Sequence, residues 1–322
     1  MKICSARWSA GYLAILLAAL ACPLAPPAAA QSPSPAVAPA DAQWLQELTA
    51  WRAQQERDLA APDGWLTLVG LEWLKPGINA LGAAADNSIK IRAQAPAHLG
   101  LLTVSGKAPS AVIVQLLSPA GGFPPELTID GKPAREGPLS FDDAKPSTIA
   151  WKGLSIVVLR RGDRFALRIK DANSPTRTGF HGLNWYQPNP AFRIVARWIP
   201  SSPAHILKIP TVIGATLDLS SPGVAEFTLN GQTLRLEPVM DGPELFFILR
   251  DETSKTTTYE AARFLHTGLP DHGLAQPGVL TLDFNRLENP PCAYTPYATC
   301  PLPPDQNRLP VTLEAGEQRY AH

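Results

Sequence analysis

The chain has 322 residues, is 45% hydrophobic and carries 28 basic against 28 acidic side chains, for a net charge of zero with histidine neutral. That balance excludes a net field favouring nucleic acid or an anionic membrane, and the apolar content suffices for the core of one large or two ordinary domains. With 34 prolines and 23 glycines, the composition suits short strands joined by turns better than long helices.

Residues 1–30 read as an export signal. Lys2 and Arg7 supply a positive start, Gly11 to Ala21 is an apolar run too short for a comfortable membrane span, and Ala28-Ala29-Ala30 precedes Gln31 as a cleavage site. Cys22, after Ala19-Leu20-Ala21, offers lipid attachment as the alternative. Both readings take the product out of the cytoplasm, to the periplasm or beyond. Residues 31–40 are rich in Pro, Ala and Ser and are expected to form a disordered tether.

Asp41 can cap a helix running to about Ala60, with Trp44, Leu48, Trp51, Gln55 and Leu59 on one face. Pro62-Asp63-Gly64 turns the chain into the apolar run Trp65 to Leu74, a buried strand or hairpin arm. Alternating segments follow at Ala111–Leu117, Glu126–Ile129, Leu154–Leu159 and Arg164–Ile169, then at Phe192–Ile199, Ile206–Ile213, Ala225–Leu229 and Thr233–Leu236. Glu244–Leu249, Thr257–Tyr259 and Val279–Phe284 complete the set. Asp130-Gly131 and Asn230-Gly231 are hairpin turns, because these residues tolerate positive φ. The expected fold is mainly β: two β-sandwich or barrel-like lobes with one N-terminal amphipathic helix. The lobes are placed at 41–145, helix included, and 146–322, with the connector Asp142 to Pro146 between them.

The chemistry is densest from Leu282 to Tyr320. This stretch holds Asp283, Asn285, Asn289, Cys292, Cys300, Asn307, Arg308, Glu314, Glu317 and a run of prolines. Pro290 and Pro291 exclude a helix interior or a central strand, so the segment is irregular backbone anchored by Phe284, Tyr294, Tyr297, Leu302 and Leu309. Asp283 and Asn285 alternate onto one face of a strand end. Arg263, Asp283, Asn285, Asn307, Arg308 and Glu317 form the candidate ligand-binding set, the arginines suited to a carboxylate or phosphate. The same residues can instead brace the irregular backbone by pairing with one another. Cys292 and Cys300 are the two cysteines of the exported product. In an oxidising compartment they read as a disulfide, against two buried free thiols or a catalytic or metal role. No metal-ligand spacing accompanies them.

The blocks D-F-N, N-P-P-C-A-Y-T-P-Y-A-T-C-P-L-P-P, N-R-L and A-G-E resemble the closing signature of the bacterial DUF 1684 family, a domain of unknown function. G-W-L-T-L-V-G-L-E-W-L, L-R-I-K-D and T-T-T-Y-E-A-A-R-F-L extend the resemblance across Trp44 to Tyr320, departing at Ala262, where a glycine is expected. The segment from Gly77 also distantly resembles the start of a forkhead-associated β-sandwich. Ala83 follows Gly82 and Pro96-Ala97-His98 stands where that family has its serine. The phosphate contact is missing, so the resemblance implies at most a shared scaffold.

No dinucleotide, P-loop, serine-hydrolase or zinc-protease motif is present, so no cofactor or metal is expected. The functional expectation is an exported binding or structural module with a pocket for a small polar or anionic ligand at the C-terminal signature. The alternative is an extracytoplasmic hydrolase using Asp283 and Glu317 as a carboxylate pair.

Overall fold

The computed structural model describes residues 39–106 and 112–321. The leader, Cys22 and nearly all of the expected tether lie outside the described residues.

Helix α1 (Pro39–Leu59) has Asp41 in its first turn, where a carboxylate favours the positive end of the helix dipole. Trp44, Leu48 and Leu59 are buried. Trp44 Nε1 donates to Asp283 Oδ2 at 2.7 Å, Arg52 donates to the Tyr186 carbonyl at 3.0 Å, and Glu56 accepts from the Leu183 N–H at 3.1 Å. The helix therefore docks on the C-terminal lobe, although the sequence order groups it with the first one.

The first lobe contains β1 (Leu68–Trp73), β2 (Gly77–Gly82), β3 (Ile89–Lys90), β4 (Gly100–Ser105), β5 (Ile113–Leu117) and β6 (Thr128–Ile129). It continues through β7 (Lys132–Pro133), β8 (Gly137–Leu139), β9 (Thr148–Trp151), β10 (Leu154–Arg161) and β11 (Arg164–Asp171). One sheet runs β1-β11-β10-β9-β6-β7 and the other β3-β2-β4-β5-β8. Between them pack Leu81, Leu102, Val114 and Leu116 from one side and Ile149, Ile156, Val158 and Leu167 from the other. This is a sandwich built on period-2 alternation. Asp130 and Gly131 both hold positive φ, 52° and 77°, as the hairpin reading requires. Gly82 is needed for another reason: a Cβ there would sit 2.2 Å from the Ala97 carbonyl oxygen. The lobe boundary expected at 145/146 cuts this first sheet, because β9 pairs with β6 and β11 with β1, with β10 between them. The connector at Asp142 is only a loop within the lobe.

The second lobe contains β12 (Arg193–Pro210), β13 (Thr216–Leu229), β14 (Gln232–Leu236), β15 (Val239–Asp241), β16 (Glu244–Leu249), β17 (Arg263–Thr267) and β18 (Gly278–Asp283). The sheet β14-β13-β12-β18 faces the sheet β15-β16-β17. Their shared core includes Trp198, Phe227, Leu245, Phe247 and Leu265, closed by Phe284 and the tail residues Leu309 to Ala315. Both sheets stay open, so the lobe is a sandwich and not a barrel. The register of β12 against β13 shifts between Pro200 and His205, a bulge that accommodates prolines lacking a ladder donor. Thr257–Tyr259, expected as a strand, is a turn. Asp251 caps a short 3₁₀ segment, and the Thr253 carbonyl takes the N–H groups of Thr257 and Thr258.

Candidate functional site

The candidate residues from Asp283 onward are held by the proline-rich tail, which cannot form a ladder and satisfies its backbone with side chains instead. Asn307 shows this directly. Its Oδ1 accepts from the Glu237 N–H at 2.9 Å, and its Nδ2 donates to the carbonyls of Glu237 and Ile248 at 2.8 and 3.0 Å. Asn285 clamps Asn189 in the same way, at 2.8 and 2.9 Å, and gives its second donor to Asp283 Oδ1. Asp283 is filled by Trp44, Asn285 and, at 3.7 Å, Arg286. Arg263 is 1% exposed, pairs with Asp251 at 3.0 Å and donates to the carbonyls of Ala315 and Leu313 at 2.7 and 3.0 Å. Arg308 is exposed and pairs with Asp305. Ala262, the departure from the glycine expected there, is a buried core residue and needs no left-handed backbone.

The six candidates are therefore not brought together. Asp283 and Glu317 belong to separate hydrogen-bond networks, and the expected carboxylate pair is not assembled. The Cys292–Cys300 disulfide is also not formed in this structure. Both are free thiols, with the Cys292 N–H 3.2 Å from Cys300 Sγ. The hydrogen bond between the thiols lowers the Cys292 pKa, and the same bond together with burial raises that of Cys300.

Of the six candidates, Arg308 borders a cavity of about 290 Å³ beside Arg250 and Lys255, and Glu317 borders a separate, larger one. Glu317 is 1% exposed. Its oxygens accept from Tyr294 Oη at 2.6 Å, Asn289 Nδ2 at 2.7 Å and the Asn289 N–H at 2.8 Å. Its carboxyl lies at the floor of a cleft of about 530 Å³. One wall is the end of α1 and the turn after it, with Gln55, Asp58, Asp63 and Trp65. The other is Asp241, Phe246, Phe264 and His266 of the three-stranded sheet, with Glu288, Asn289 and Tyr294 from the signature loop. Gly316 lets the tail come this close: its φ is +78°, and a Cβ would lie 2.5 Å from the Leu287 carbonyl oxygen. That same oxygen accepts the Glu317 N–H at 2.8 Å.

The loop that supplies Glu288 and Asn289 and the tail that supplies Glu317 fall within one segment that resembles a known family. Residues 178–318 match the DUF1684 family, described as a protein of unknown function. This is narrower than the Trp44–Tyr320 span implied by the sequence blocks. No curated protein matches the chain. A solution NMR structure of the uncharacterized protein from gene locus rrnAC0354 of Haloarcula marismortui is 28% identical. That match covers 44% of this chain and 78% of the other, with a TM-score of 0.38.

Within the matched segment, β17 sets the cleft's electrostatics. Phe264 and His266 point to one face by alternation, while Arg263 and Leu265 point into the core. The His266 ring stacks on Phe246, with centroids 4.5 Å apart. Its Nε2 is 3.2 Å from Asp241 Oδ2 and its Nδ1 3.5 Å from Glu288 Oε1. Burial lowers the His266 pKa, but the two carboxylates outweigh it and the net shift is upward. In the orientation that satisfies both neighbours, the Gln55 amide donates to Glu288 Oε2 at 3.1 Å and accepts from Trp51 Nε1 at 3.2 Å. With carboxylates at both nitrogens, His266 is suited to be a charged brace rather than a general base. Desolvation raises the Glu317 carboxyl to about 7, against the hydrogen bonds it accepts.

Sequence reasoning missed His266, Asp241, Asp58, Asp63 and Trp65 as neighbours, because they are scattered with no shared spacing. The one available signal was the strand period in R-F-L-H-T, which separates His266 from Arg263. Among the described residues, no group of His, Cys, Asp and Glu has the geometry to hold a metal ion. No helix among them is long and apolar enough to cross a membrane.

Proposed function

We propose that this protein is an exported binding module and that the cleft above Glu317 holds a small polar ligand. The observation that carries this reading is the cleft itself. About 530 Å³ lies within the roughly 300–1,000 Å³ of small-molecule sites. It combines aromatic walls from Trp65, Phe246 and Phe264 with convergent polar groups and one buried carboxyl of shifted pKa. The other candidate residues are satisfied within the fold, which supports binding over hydrolysis.

A thermal-shift screen of the full chain with sugars, amines, amino acids and phosphate esters tests this. A ligand at about 100 times its Kd adds about 2.7 kcal/mol, a clear rise in melting temperature. Trp65→Ala should remove the rise. Hits that persist undiminished in Trp65→Ala, or no hit in any class, would reject the cleft as a binding site.

Export also bears on the thiols. Cys292 and Cys300 touch, so an oxidising compartment can remove two protons and two electrons and join them. Protein recovered from the exported fraction, denatured without reductant and treated with a thiol reagent, should show neither residue alkylated. Two alkylated cysteines would establish the dithiol as the working state.

A further inference from the structure

The ligand's charge can be read from the same cleft, on the premise that the cleft is a binding site. Among the described residues lining it, Asp58, Asp63, Asp241 and Glu288 are carboxylates besides Glu317, His266 is the sole cationic candidate, and no lysine or arginine is present. Lys170 approaches the rim, but its Nζ donates to the Asp63 main-chain oxygen at 2.5 Å and it does not line the cavity. Arg263 and Arg308, the arginines expected to hold an anion, lie in the core and beside Asp305. His266 offsets part of this charge at Asp241 and Glu288, and an anion entering here would still meet an excess of carboxylates.

A second, independent feature points the same way. Asn289 is 5% exposed and lines the cleft. Its Nδ2 donates to Glu317 Oε1 and the Gln318 carbonyl, at 2.7 and 2.8 Å. Its Oδ1 is buried and has no hydrogen-bond partner among the described residues. An acceptor left unpaired at that depth is costly unless a ligand supplies a donor. The Trp65 ring already draws cations in this fold, with Arg168 5.0 Å and Lys170 5.9 Å from its centroid.

We propose that the cleft recognises a small organic cation bearing N–H donors, an ammonium compound, with the carboxylates supplying the field and Asn289 Oδ1 accepting a hydrogen bond. The requirement for N–H separates this ligand from a quaternary ammonium, which satisfies the field but not the carbonyl.

Four probes of matched size or charge test the assignment on the full chain, by calorimetry or tryptophan fluorescence. They are putrescine, butane-1,4-diol, succinate and tetramethylammonium. Putrescine should bind at least tenfold more tightly than each of the others. Its affinity should fall several-fold between 0.05 and 0.5 M salt. Glu288→Gln should weaken it about tenfold. Because Glu288 also braces His266, the exposed pair Asp58→Asn with Asp63→Asn provides a variant away from the packed core, and it should weaken putrescine about tenfold. Equal or tighter binding of butane-1,4-diol or succinate in the cleft would overturn the cation assignment while leaving the binding module intact. Tetramethylammonium equal to putrescine would overturn the N–H requirement. Failure of all four probes would reject the assignment, and with no hit in the wider screen the binding reading would fall too.

Discussion

Replacing Arg263 with methionine should lower the unfolding free energy by about 3–5 kcal/mol, the range for breaking one side of a buried ion pair. Arg263 and Asp251 are each about fully buried at 3.0 Å separation. The guanidinium also satisfies the carbonyls of Leu313 and Ala315. Burial lowers the Arg263 pKa and Asp251 opposes that shift, so the pair is held together by proximity in a medium that disfavours both charges. Methionine fills much of the volume but strands the carboxylate and two acceptors. Asp251 cannot simply rotate away, because its Oδ1 holds the N–H groups of Thr253 and Leu313. Urea titration would read the loss as a lower midpoint at unchanged slope. A loss below about 1 kcal/mol, the scale of exposed pairs, would show that Arg263 does not brace the tail.

The second large effect is on pH dependence. Glu317 is held at about 7 in the folded protein against 4.5 for the free side chain. Between those values the folded state binds the extra proton, so stability falls as pH rises. The cost develops above pH 4.5 and is complete once pH passes 7. A shift of that size corresponds to about 3 kcal/mol. His266 adds to the same trend. Its folded pKa is raised, so its contribution is present at low pH and is lost as pH rises through that value. Urea midpoints measured from pH 5 to pH 8 should therefore fall for the native chain, and Glu317→Gln should flatten most of the slope. An unchanged slope in that variant would mean that Glu317 ionises normally.

Much of the fold is written locally. Asp130-Gly131 and Asn230-Gly231 force hairpins through positive φ, and alternation in β10 and β11 sets which residues meet in the first core. The helix is legible from Trp44, Leu48 and Leu59, but not the lobe it docks on, since that choice rests on the Trp44–Asp283 bond. The extent of the first lobe is not legible for a similar reason: β1 and β11 pair across nearly the whole of it, and no local signal records such a partner. The polar signature is prominent in sequence because it replaces missing ladder bonds. Asn285 and Asn307 are polar for the sake of the backbone they hold, and a ligand is not needed to explain them. The cleft is the reverse case. Trp65, Asp241 and His266 are unremarkable where they stand and acquire a role only when three distant segments meet.

The docking of α1 also fixes the order in which this molecule can be completed. Trp44 and Asp283 are 239 positions apart, so Trp44 waits for its acceptor until almost the last part of the chain appears, whereas the other end of α1 meets Leu66, then Leu183 and Tyr186, earlier. At about 5–20 residues per second, that interval is on the order of 10–50 s. Throughout it Trp44, near the start of α1, remains available to chaperones or to a neighbouring nascent chain. A chain that terminates before Asp283 leaves the Trp44 indole without its acceptor, and so is marked for capture at the start of α1.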